Sequence, residues 1–141
     1  MQDGPADVTH HAIHEAAHEQ AAALIERATR LNDEEPDAFR DAVSEFIELV
    51  DARILVHAAV EEFQIYQPWI EDPRNRPAVI AALLGEHQTL RQLVSSLKRA
   101  TEGSNFEMML SYMQRILDAS KAHAEHEEAV LRSLYNGTGP N

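Results

Sequence analysis

Proline and glycine are placed so that only four stretches of this chain are long enough for regular structure, and each reads as a helix. Alanine, leucine, glutamate, glutamine and arginine dominate these stretches, and no alternating run of β-branched residues interrupts them. The first helix is expected from about Asp7 to Leu31, stopping at Asn32-Asp33-Glu34-Glu35-Pro36-Asp37. Pro36 suits the first turn of the second helix, where its missing N–H is no loss. That helix should extend to about Tyr66 and end near Pro68. The segment Gln67 to Pro77 holds three prolines and is expected to be irregular, and Pro77 opens a third helix running to about Thr101. Glu102-Gly103-Ser104-Asn105 closes it, and Ser104 with Glu107 has capping-box spacing for a fourth helix, 105–136. Asn136-Gly137 ends that helix and leaves Thr138–Asn141 as a loose tail. The expectation is an all-α, up-down-up-down four-helix bundle occupying residues 1–141 as one domain.

A bundle helix buries positions three and four apart, and here the buried stripes turn polar at one level. The second helix reads Phe39, Val43, Phe46, Val50, Ile54, then His57 and Glu61. The fourth reads Phe106, Met109, Met113, Ile116, Ser120, then His123 and Glu127, then Leu131 and Leu134. The third gives Ile80, Leu83, His87, Leu90, Val94, Leu97, and the first places His14 and His18 on a stripe through Ala21, Ile25 and Ala28. A single buried histidine is ordinary. Ionised glutamates inside a bundle cost several kcal/mol unless they are paired or bind metal. No lysine or arginine stands on these stripes at the level of Glu61 and Glu127. A pair of metal ions would supply the missing positive charge, and imidazole with carboxylate suits iron, manganese or zinc.

Composition closes other routes. There is no cysteine, so disulfides, thiolate metal sites and thiol chemistry are excluded. The formal net charge is -12, from 24 acidic against 12 basic side chains, a field that repels nucleic acid and anionic membrane surfaces. No apolar run approaches the roughly 20 residues needed to span a bilayer. The start, MQDGPADVTHH, lacks the basic and apolar stretches of a signal peptide, so a cytoplasmic protein is expected.

The ordered set of motifs resembles the hemerythrin family, in its HHE cation-binding branch. It comprises a histidine on the first helix (His14 or His18), His57-Ala58-Ala59-Val60-Glu61 on the second, Glu86-His87 on the third and His123-Ala124-Glu125-His126-Glu127 on the fourth. The resemblance covers nearly the whole chain. It implies a non-haem centre of two iron ions, oxo- or hydroxo-bridged, with Glu61 and Glu127 bridging and the histidines as terminal ligands. Oxygen-carrying hemerythrins have two histidines four apart on the third helix, whereas the positions four from His87 here are Leu83 and Arg91. They also carry an aspartate on the fourth helix, one step beyond the place of Glu127. Hairpin depth favours His14 opposite His57, and His18 is then expected as a fifth histidine. The expected ligands are His14, His18, His57, His87, His123, Glu61 and Glu127. His10, His11 and His126 read as surface residues or groups behind the ligands, as do Glu62, Glu86 and Glu128. Tyr66, Tyr112 and Tyr135 cannot be placed from the pattern.

Other readings compete. His14-Glu15-Ala16-Ala17-His18 spells the H-E-x-x-H motif of zinc peptidases, but a peptidase needs a substrate cleft, usually edged by a strand, and the register of His57/Glu61 and His123/Glu127 would go unused. A ferritin-like carboxylate site needs E-x-x-H on two helices, and only Glu15-Ala16-Ala17-His18 supplies it. Haem ligation would not use the glutamates. Within the di-iron reading the expected role is to bind, sense or detoxify a small diatomic or peroxide ligand: dioxygen, nitric oxide or hydrogen peroxide. The alternative is iron storage without turnover. A sensor of this length would act through a partner protein, and the acidic surface would help attract iron.

Overall fold

The computed structural model describes residues 3–31, 34–71 and 77–135, with side chains at 11–31, 34–71 and 78–133. Among these there are four long helices and no strand: a first at Asp3–Leu31, a second at residues 36–71, a third at Pro77–Ala100 and a fourth at Phe106–Tyr135. None of them is long and apolar enough to cross a membrane. Leu134 and Tyr135, as side chains, and the expected tail at 136–141 lie outside the described residues, as do 72–76 of the irregular segment.

The second helix departs from expectation. It does not stop at Tyr66 but continues through Pro68 to Glu71, and it is not uniformly α-helical. Its regular stretches, Pro36–Leu49, Val56–Glu61 and Gln67–Glu71, are separated by π-helical turns at Val50–Leu55 and Glu62–Tyr66. The Val56 N–H bonds to the Asp51 carbonyl and the Gln67 N–H to the Glu62 carbonyl, each five residues back. A widened turn relaxes the ladder just before Pro68, where the proline could not have donated a regular bond. The fourth helix starts at Phe106, one residue later than expected, so Asn105 rather than Ser104 is its cap. The Met108 N–H donates to Asn105 Oδ1 at 3.0 Å.

The first helix packs on the second and fourth, the third packs on the fourth, and the second meets the third through residues 50–55 and 67–71. One apolar cluster takes side chains from all four: Ala21, Ile25 and Ala28; Phe39, Val43, Phe46 and Val50; Leu90, Val94 and Leu97; Met109, Met113 and Ile116. Full burial of each larger side chain contributes about 1.5–3 kcal/mol. At this end Phe39 stacks on Phe106 with ring centres 4.4 Å apart. Arg40 donates to the carbonyls of Thr101 at 2.9 Å and Gly103 at 2.7 Å, tying the second helix to the connection between the third and fourth.

A smaller cluster, Tyr66, Ile80 and Leu83 with Ile65, Trp69 and Val130 against it, forms toward the other end. On the second, third and fourth helices the positions between the two clusters hold His57 and Glu61, His87, and Ser120, His123 and Glu127. The polar layer lies between two apolar ones.

Candidate metal centre

Two groups of ligand atoms assemble in that layer. Glu61, His87, His123 and Glu127 each offer one ligand atom, all within 4.8 Å of one another, and all four residues are buried. His14, His57 and Glu61 form a second group by the same measure. Glu61 belongs to both. Its Oε2 lies 2.9 Å from His57 Nε2 and 3.6 Å from His14 Nε2, and its Oε1 lies 3.4 Å from His87 Nε2. On the other side Glu127 Oε2 is 3.7 Å from His123 Nε2 and Oε1 is 3.8 Å from His14 Nε2. Helical spacing explains the pairing, because residues four apart stand one above the other on the inner face.

The outer nitrogens of two histidines are held by carboxylates. His87 Nδ1 lies 2.7 Å from Glu62 Oε2, which also accepts from Arg91 Nη2 at 2.8 Å. His123 Nδ1 lies 2.6 Å from Glu86 Oε1, whose other oxygen is 2.7 Å from His126 Nδ1. Ionised carboxylates only accept, so each Nδ1 carries a proton and each Nε2 is turned inward. His87 Nε2 is buried and makes no hydrogen bond. An orphaned, correctly oriented imidazole nitrogen beside buried carboxylates is what a metal cation would satisfy, and the nitrogen and oxygen donors fit one.

Charge follows from this packing. Burial alone would depress the His123 imidazole, but the carboxylates of Glu127 and Glu86 outweigh it and raise its pKa above the usual histidine value. Burial, then the charge of Glu127, pushes the Tyr66 phenol up. Tyr66 is fully buried and donates its O–H to Glu127 Oε2, with His123 Nε2 at 3.5 Å. Its ring stacks on His87 and Trp69, centres 5.4 and 5.6 Å away.

Six of the seven expected ligands thus meet in the two groups. His18 does not. Its Nε2 hydrogen-bonds Ser120 Oγ at 2.8 Å, and burial, followed by His14 and Lys121, lowers its pKa to about 4. Its ring centre lies 6.0 Å from that of His14. Glu15 is exposed beside His11, and His14 faces Glu61 and Glu127, so the H-E-x-x-H residues do not form a group of their own. His14, Glu15 and His18 line a cleft of about 310 Å³ with His11, Lys121 and Glu128, between the first and fourth helices. Of the outer groups, His126 sits on Glu86, and His11 Nδ1 lies 3.1 Å from Glu128, which is buried rather than solvated. The His10 side chain lies outside the described residues. Sequence periodicity missed the position of Tyr66. Tyr112 instead packs against the large apolar cluster.

Four helices around a buried layer of histidines and carboxylates define a helical protein whose converging donors fit a metal cation. The chain belongs to the hemerythrin family: the model of the hemerythrin HHE cation binding domain matches residues 9–135. No curated protein and no solved structure matches the chain.

Proposed function

We propose that this protein is a non-haem di-iron protein whose metal pair binds, senses or detoxifies dioxygen, nitric oxide or hydrogen peroxide. The observation that carries the reading is the sharing of Glu61 between two converging groups of ligand atoms. Two overlapping groups joined by a carboxylate are the arrangement that a pair of bridged cations requires. Glu61 and Glu127 are the proposed bridges, and His14, His57, His87 and His123 the terminal ligands. His18 is left out of the set by its bond to Ser120. The one-domain, up-down-up-down course fits side-chain partners that run in opposite directions along neighbouring helices. His14 reaches Glu61 while Arg27, further along, reaches back to Glu45, and Arg91 reaches Glu62 while Lys98 reaches back to Asp51.

When bound, a ferrous pair supplies electrons to a small oxidant or an open position for a diatomic ligand. The chain's part is to hold the donors, fix the imidazole tautomers through Glu62 and Glu86, and surround the layer with apolar side chains. A sensing role would pass through a partner protein. Metal analysis with an optical spectrum after aerobic iron loading tests the reading. A pair of irons per chain with oxo-bridge absorption is expected, followed by spectral change when the reduced protein meets nitric oxide, dioxygen or peroxide. A single zinc per chain and no colour would overturn it.

A further inference from the structure

We infer that Tyr66 is itself a metal ligand, bound as phenolate on the His123–Glu127 side of the pair; this rests on the metal reading proposed above. The hydroxyl already lies among the atoms that converge there, donating to Glu127 Oε2 with His123 Nε2 at 3.5 Å. The ring is fully buried and held between His87 and Trp69, so its oxygen is fixed in place before any metal arrives.

The backbone explains how a residue five beyond Glu61 comes to face the same site. In a regular α-helix the residue one turn on from Glu61 is Ile65, and Tyr66 would point well away from it. The π-helical turn Glu62–Tyr66 adds one residue to that turn. It carries Tyr66 to the inner face and leaves Ile65 only partly buried. Widened turns of this kind are rare and concentrate at functional sites.

The third helix shows what Tyr66 would replace. The positions one turn before and after His87 are Leu83, buried in the small apolar cluster, and Arg91, held by Glu62. That helix therefore gives the site one donor, and the second helix supplies another through the phenol. A hard phenolate oxygen favours a ferric ion over the softer partners of imidazole alone. Coordination exchanges the phenolic proton for the metal, and the proton leaves to solvent water.

The test uses the full chain and a Tyr66→Phe variant, both loaded with iron(II) in air, with iron content, visible absorption and resonance Raman spectra recorded. The wild type should show a phenolate-to-ferric charge-transfer band with enhanced tyrosine ring vibrations. Tyr66→Phe should lose both while keeping its iron and its helical circular dichroism, and Tyr112→Phe should keep both. An iron-loaded wild type without phenolate vibrations, or vibrations that survive in Tyr66→Phe, would restrict Tyr66 to a hydrogen bond on Glu127 and overturn the inference. Iron absent from every protein would overturn the metal reading and this one with it.

Discussion

Glu61→Gln should change the stability of this protein in opposite directions with and without metal. The carboxylate is 2 % exposed, with imidazole nitrogens of His57, His87 and His14 at 2.9, 3.4 and 3.6 Å. Removing a carboxylate from water costs several kcal/mol. Glutamine keeps the shape and one acceptor oxygen but removes the charge. The metal-free variant should therefore match the wild type or exceed it by about 1–2 kcal/mol. With free metal at about 100 times its Kd, the wild type gains about 2.7 kcal/mol. For a chain of this size that is roughly 10 °C in Tm. The variant, lacking the carboxylate common to both groups, should gain little. Thermal melts and urea titrations of both proteins, in chelator and in metal, measure the four values. The reasoning fails if metal-free Glu61→Gln is less stable by about 3 kcal/mol or more while both proteins gain equally from metal, since Glu61 would then be a structural partner of the histidines.

Glu86→Ala should weaken metal binding about 10–100-fold, read by competition with a chelator, while leaving stoichiometry and helix content unchanged, because it frees the outer nitrogen of His123. His18 has a folded pKa of about 4 against an ordinary 6.5, so between those values the unfolded chain takes up a proton that the folded one refuses. The metal-free protein should lose stability as pH falls through that window. His18→Gln should show a smaller drop in urea midpoint over the same range.

The sequence made the fold class and most of the site legible because both depend on one regular period. His57, Glu61, His87, His123 and Glu127 sit at steps of three and four from apolar residues, and the structure buries Glu61, His87, His123 and Glu127 as those steps require. What was missed lies where the period breaks. Counting by α-helical steps puts Ile65 on the inner face, and nothing in Glu62-Phe63-Gln64-Ile65-Tyr66 announces a widened turn, so Tyr66 could not be assigned. The same turn explains why the helix survives Pro68. His18 stands outside the two groups for a different reason: periodicity gives the side of a helix but not the partner. Ser120, the fourth-helix member of the polar layer nearest the large apolar cluster, holds the His18 imidazole. Asn105 and Ser104 are both good caps, and only the starting residue of the helix decides between them.

The clamp formed by Arg40 on the Thr101 and Gly103 carbonyls acts at a distance from the site. The end that Arg40 ties holds the large apolar cluster and the other end the small one, and a bundle opens most easily where buried apolar contacts are fewest. A small ligand of the proposed metal pair would then meet the thinner apolar layer, Tyr66, Ile80 and Leu83, at the end away from Arg40.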